Sequence, residues 1–207
     1  WSNREFFNKS WFWKSITVRP VIKSKIRKKI LYIRKKKNIT NIKFSFLKIF
    51  QEIEKKVSPN KIVGGYYPVN FEIDILEILD NLEKKIGMQL SLPVIKKNNE
   101  MDFYNWSTKN LLKLNKYGIP EPEKIKKVFP DIIFVPIVAF DNRLYRIGYG
   151  GGYYDRYIQK ISKKKKIFKI GIAHSCQKIN KVPTNKYDKK LDIIITEKYI
   201  LRWEFFF

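Results

Sequence analysis

A three-layer α/β fold, with a mostly parallel central sheet between helices, is what this 207-residue chain predicts. Three observations carry the prediction. Segments of helical period alternate with short runs rich in Ile and Val. The strongest of these runs, Asp131 to Phe140, is apolar on both faces, as a parallel strand covered by helices must be. A dense glycine run follows it, beyond the carboxyl end of a strand, where open α/β sheets bind ligands. No internal repeat and no Gly/Ser linker divides the chain. Its length suits one domain, residues 21–207, behind an extension of unknown role, residues 1–20.

Trp1 to Pro20 are aromatic and basic without clean periodicity, and Arg4, Lys9 and Lys14 interrupt any secretory apolar core. From Val21 to Lys37 the pattern is helical, with Ile22, Ile26, Ile30 and Ile33 on one stripe. At about 100° per residue, Lys23, Arg27 and Arg34 fall within roughly 40° of one another on a neighbouring face. That face can present three cations to one polyanion. A second helix is expected over about Asn41 to Val57, on the stripe Phe46, Phe50, Ile53 and Val57. A strand around Lys61 to Tyr67 leads through Pro68 to a helix near Glu72 to Ile86. Ile75, Leu79, Leu82 and Ile86 form its buried stripe, and Gly87 suits the C-cap. Gln89 to Ile95 reads as the next strand and Phe103 to Trp106 as a short one, with a variable helix or loop to Tyr117. After the Asp131 to Phe140 strand, Tyr153 to Ile161 is a helix, and Lys166 to Ala173 and Leu191 to Thr196 are strands. Phe205, Phe206 and Phe207 read as a packed or frayed end.

Composition excludes several function classes. The single Cys176 allows no intramolecular disulfide, and with the single His174 it supplies no zinc cluster. His174 is equally short of partners for a Ser-His-Asp or Cys-His set, and no heme, flavin or iron–sulfur pattern is present. The longest apolar stretch is far short of the ~20 residues that span a bilayer. A soluble protein of a reducing compartment follows: cytoplasmic or, if the extension is a presequence, of an organellar matrix. The net charge of +25 invites an RNA- or membrane-binding reading. Yet the lysines are dispersed among Asn and Ile, as A+T-rich coding gives, and Lys163 to Lys166 read as a solvated loop. The expectation is a monomer with neither a specific nucleic-acid partner nor a membrane.

The run Arg146-Ile147-Gly148-Tyr149-Gly150-Gly151-Gly152-Tyr153-Tyr154-Asp155-Arg156 carries the chemistry. Its glycines let main-chain N–H groups approach an anion, and the helix that follows aims its N-terminal dipole at the same point. Phosphate binding is therefore expected. No Lys-Ser/Thr pair closes the run, so it is not a Walker A loop, and Tyr153 fails the dinucleotide pattern.

These residues resemble the signature of the 5-formyltetrahydrofolate cyclo-ligase (methenyltetrahydrofolate synthetase) family. Pro136, Ala139-Phe140-Asp141 and then Arg146 through Arg156 stand in its order. Gly118-Ile119-Pro120-Glu121-Pro122 is similar to its Gly-x-x-Glu-Pro segment. Tyr66-Tyr67-Pro68 with Glu72-Ile73-Asp74 looks like its folate-side loop. Lys23-Ser24-Lys25-Ile26-Arg27 and Arg34 fit its opening helix, and Tyr187 to Asp192 its closing strand. One departure is Leu144, where many members carry Gly, which puts that turn's positive-φ geometry at issue. A second is Tyr149, where some relatives have Arg, which removes one anion contact.

The resemblance implies a fold similar to that of sugar-phosphate isomerases and coenzyme A transferases, and a reaction. The reaction is ATP-dependent closure of 5-formyltetrahydrofolate to 5,10-methenyltetrahydrofolate, the folate being free or polyglutamylated. It implies that Lys23, Ser24, Lys25, Ile26 and Arg27 contact ATP, together with Arg146, Ile147, Gly148, Tyr149, Gly150, Gly151, Gly152, Tyr153 and Tyr154. Asp155 and Asp188 correspond to its Mg²⁺ carboxylates. Tyr67 and Glu72 correspond to folate contacts, shared with Tyr149 through Tyr153, while Arg146 and Tyr153 act in catalysis. The alternatives are a basic RNA-binding protein and a non-catalytic relative on the same fold.

Overall fold

The computed structural model describes residues 7–36, 46–54 and 61–202. Its elements, in chain order, are α1 (Phe7–Lys36), α2 (Phe46–Glu54), β1 (Ile62–Gly64), α3 (Leu76–Ile86), β2 (Gln89–Ile95) and β3 (Met101–Asn105). Next come β4 (Lys113–Leu114), β5 (Pro120–Glu121), β6 (Lys127–Val128), β7 (Ile132–Val135), β8 (Ala139–Phe140) and β9 (Arg146–Ile147). The chain continues with α4 (Tyr153–Ile161), β10 (Phe168–Ile172), β11 (Ile193–Ile195) and β12 (Ile200–Arg202).

Eight strands form one sheet in the order β12-β11-β10-β7-β1-β2-β3-β6. The five central strands, β11 through β2, pair in parallel. The pairs that add β12, β3 and β6 at the two edges are antiparallel. Period-2 alternation assigns side chains to the layers. Ile132, Phe134, Ile193 and Ile195 pack with Ile49, Ile53, Leu79 and Leu82 of α2 and α3. Ile133, Val135 and Ile194 pack on the other face with Tyr157, Ile158 and Ile161 of α4. The mostly parallel three-layer prediction holds.

Several boundaries differ from expectation. The strand predicted over Asp131 to Phe140 is two strands, because Pro136 lacks an N–H and ends β7 at Val135. β8 leaves the large sheet and pairs antiparallel with β9, so a small ribbon separates the central strand from the glycine run. α1 begins at Phe7 and passes through the exposed Pro20, crossing the point where the extension was separated from the domain. α3 starts at Leu76 rather than Glu72, since the Asp74 carboxylate accepts from Leu76 N–H at 2.8 Å and opens the helix there. Gly87 closes it in the left-handed region at φ 73°, as expected.

In α2 Ile53 and Phe50 of the predicted stripe pack in the core, and Ile49 joins them, with Glu52 buried alongside. Asn41, Val57 and the terminal Phe205 to Phe207 lie outside the described residues. The stretch before Tyr117 holds β4, which pairs with β5 just beyond it, and β6 and β12 are not foreseen from sequence. Among the described residues no helix is long and apolar enough to cross a membrane.

Candidate functional site

The β8–β9 ribbon sets the entry to the glycine run. Its turn is organised by Asp141, fully buried, which accepts from the N–H groups of Arg143, Tyr145 and Val182 and from the Arg143 guanidinium. Leu144 sits in that turn at φ 64°. The turn therefore holds a left-handed geometry with a side chain in place. α1 packs on the ribbon through Ile30, against Val138, Ala139 and Ile147, and this delivers its basic face to the loop.

Within the run, Gly150 (φ 109°) and Gly152 (φ 68°) occupy conformations closed to most side chains. Gly151 does not. Its constraint is space: a Cβ there would lie 2.4 Å from the Tyr153 ring. Gly152 stands at the N-cap of α4 with no side-chain cap, so the first N–H groups of that helix face the loop without an internal partner.

Cations surround this point. Arg27 Nε donates to Gly148 O at 2.7 Å, and its guanidinium lies against Gly150. Lys23, one turn earlier, holds both Asp188 oxygens at 2.7 Å. Arg146 is buried, donates to Lys189 O at 2.9 Å and pairs with Asp155 at 3.3 Å. Asp155 Oδ1 also accepts from Lys189 N–H at 2.9 Å, which ties it to the residue next to Asp188. Ser24 is half-buried, Ile26 packs beside Ile30 and Lys25 is exposed. From the 23–27 run, then, the loop and its carboxylates are reached by Lys23 and Arg27, spaced four apart.

The Mg²⁺ that the resemblance implies finds a suitable donor set here. Asp155 and Asp188 are oxygen ligands joined through the Lys189 main chain, and each now has a cationic group beside it where a metal's charge would act. Among the described residues no cluster of three or more Asp, Glu, His or Cys side chains forms. Two carboxylates completed by phosphate oxygens and water suit Mg²⁺.

The other half of the site centres on Glu72. Its carboxylate accepts from Val69 N–H at 2.8 Å, in a turn closed by Glu72 N–H on Val69 O at 2.9 Å. Burial raises its pKa to about 7, against the opposing pull of that N–H, the Tyr149 hydroxyl and Arg34. Arg34 was expected beside Lys23 and Arg27 on one polyanion-binding face. It is instead sunk in the protein, donating to Phe71 O at 3.0 Å and to the Tyr149 hydroxyl at 3.2 Å. Lys23 and Arg27 share the expected face, while Phe71 and Tyr149 cover its far end.

Tyr149 thus spans both halves. Tyr154, in the first turn of α4, has a buried hydroxyl with no hydrogen-bond partner among the described residues, and its pKa is raised by burial and then by Glu72, with Arg146 opposing. Tyr67 is half-buried at the end of the β1 loop. Tyr153 turns its hydroxyl to Tyr117 at 3.2 Å and Asn99 at 3.3 Å. Neither partner is legible from sequence, because both sit on loops whose course depends on β3–β5.

The sequence model of the 5-formyltetrahydrofolate cyclo-ligase family matches residues 19–197. The chain belongs to that family. A 5-formyltetrahydrofolate cyclo-ligase of Escherichia coli (strain K12) is 31% identical over 148 residues, 68% of this chain and 80% of its own length. The NMR structure of Aquifex aeolicus 5,10-methenyltetrahydrofolate synthetase is similar with a TM-score of 0.66 at 31% identity, covering 87% of this chain and 92% of that one. A 5,10-methenyltetrahydrofolate synthetase from Mycoplasma pneumoniae gives 0.60 at 25% identity, covering 84% and 97%. The family match runs from the basic end of α1 through the glycine loop to Glu197, so every residue of the site described above lies inside it.

Proposed function

We propose that this cyclo-ligase family member converts 5-formyltetrahydrofolate and ATP into 5,10-methenyltetrahydrofolate, ADP and phosphate. The observation that carries it is the meeting of two unlike half-sites. A cation-lined glycine loop at a helix N-terminus adjoins a half-buried carboxylate, Glu72, suited to the amino donors of a pterin. A formamide oxygen is a poor leaving group. Transfer of the γ-phosphoryl onto it makes a phosphorylated imidate; the neighbouring folate nitrogen attacks the same carbon, and phosphate departs carrying that oxygen.

The protein's tasks are to position and to neutralise charge. Gly148 to Gly152 offer main-chain donors to the phosphates, while Lys23, Arg27 and Arg146 balance their charge. Asp155 and Asp188 would hold Mg²⁺, which when bound supplies further neutralisation of the phosphate oxygens. Glu72 and Tyr67 orient the folate, and the Tyr153 ring stands beside the glycines at its edge. No protein nucleophile is required.

Purified protein given 5-formyltetrahydrofolate, ATP and Mg²⁺ should develop the absorbance of the methenyl product, and should lose turnover when ATP is omitted. Absence of product under conditions where the Escherichia coli relative turns over would refute the proposal.

A further inference from the structure

We infer that Tyr149 couples the two half-sites, so that a nucleotide on the glycine loop tightens the folate pocket and a folate tightens the loop. The inference rests on the function proposed above.

The main chain of Tyr149 belongs to the phosphate loop. It lies between Gly148, whose carbonyl takes the Arg27 Nε–H, and Gly150, against which the Arg27 guanidinium rests. Its hydroxyl belongs to the other half. It accepts from Arg34 Nη1 at 3.2 Å and faces the Glu72 carboxylate. One side chain therefore joins the loop that would receive phosphates to the acid that would receive the pterin. An ion drawn to the loop's N–H groups fixes that main chain, and with it the position of the hydroxyl beside Glu72.

A second observation is independent of the loop. Glu72 is presented by a turn in which Asn70 (φ 50°) and Phe71 (φ 58°) both lie in the left-handed region. Asn tolerates that conformation, whereas Phe resists it. Strain of this kind persists only where surrounding contacts hold it, and it gathers at ligand clamps. The holding contact here is Arg34 Nε on Phe71 O at 3.0 Å, made by the same guanidinium that holds Tyr149. Arg34 is 1% exposed and also reaches Ile137 O at 3.5 Å, so it is a fixed post between a glycine-rich loop and a strained turn. Among the described residues the other groups around Glu72 are Tyr66, whose hydroxyl donates to Ile73 O at 3.0 Å, and Tyr154. Neither belongs to the glycine loop, since Tyr154 already lies in the first turn of α4. Tyr149 is the connection the loop itself makes.

Coupling between binding sites is reciprocal and is commonly worth about 5- to 150-fold in affinity. The test is a calorimetric titration of 5-formyltetrahydrofolate with and without saturating Mg²⁺ and a non-hydrolysable ATP analogue, in the parent, Tyr149→Phe and Arg34→Lys. In the parent, the analogue should tighten folate binding by about fivefold or more. The reverse titration should give the same factor. In each variant the ratio should fall below about twofold. Because the ratio is taken within one protein, a change in either single affinity does not enter it, and one folded variant suffices. A parent ratio near one, or a variant that keeps the parent's ratio, would overturn the coupling while leaving methenyl formation intact. A parent that binds neither ligand and forms no product would overturn the proposed function itself.

Discussion

Glu72 is held by burial at a pKa of about 7, well above the 4.5 of a free glutamate. A raised acid pKa means that the folded state keeps a proton which the unfolded chain releases. Stability contributed by this group is therefore full below about pH 4.5 and is lost as pH rises through 7. Glu72→Gln has no proton to lose. At pH 8 the variant should be more stable than the parent by ~1–3 kcal/mol, and by less than ~1 kcal/mol at pH 5. His174, held down at about 4 by its own burial, acts with the opposite sign as pH falls. It is present in both proteins and cancels in the difference, which denaturant melts at the two pH values would measure. A difference that grew toward low pH would show that Glu72 is stabilised as a carboxylate. The same variant should raise the folate KM, so stability and binding are expected to move in opposite directions. At this scale the glycine run and the cations of α1 suggest phosphate binding by type and spacing, whereas Asp155 and Asp188 as metal ligands rest on the family resemblance. The Arg34–Tyr149–Glu72 contact was not legible in the sequence, because its three members lie on α1, the glycine loop and the turn before α3. Only the folded chain brings them together.

Elements whose limits are set locally were read well. Gln89–Ile95 and Tyr153–Ile161 coincide with expectation, since turn residues or a capping glycine bound both. Two- and three-residue edge strands such as β6 and β12 carry too few side chains for any period to register. The β8–β9 turn shows local preference and packing in direct conflict. Leu144 lies at φ 64° and is 1% exposed. The left-handed conformation costs a non-glycine residue roughly 1–2 kcal/mol, while burying a leucine side chain gives back about 1.5–3 kcal/mol. Leu144→Ala should lose the burial and keep the strain; Leu144→Gly loses the burial and relieves the strain. The usual order, in which Ala is the more stable, should therefore invert, with the Gly variant ahead by ~1 kcal/mol. Chemical denaturation of the two variants decides it. If Ala proved more stable than Gly, Leu144 would not occupy a left-handed turn.

Across the whole molecule the sheet brings the glycine loop, the basic end of α1 and the Asp188 segment to one place, within a protein of net charge +25. The strand and helix order was enough to foresee the layers, because parallel neighbours require covered faces and right-handed crossovers. The role of the charge was not legible, since scattered lysines have no periodicity that singles out a face. Around the site, Lys23, Arg27, Arg34, Arg146 and Arg156 all bond to the loop, its carboxylates or its neighbours. A folate is an anion through its glutamyl carboxylates, and each added glutamate increases that charge. A field of this sign should raise the encounter rate of such a substrate, an effect that salt removes because the Debye length shrinks from ~10 Å at 0.1 M to ~3 Å at 1 M. The folate KM should therefore rise several-fold as NaCl is raised from low to high concentration, with kcat changed less than about twofold. The rise should be steeper for a triglutamate than for the monoglutamate, since more charge is screened. Steady-state kinetics with both substrates over a salt series provides the measurement. Equal slopes for the two would mean that the tail lies outside the protein's field, and a flat KM would mean that the positive charge has no part in substrate capture.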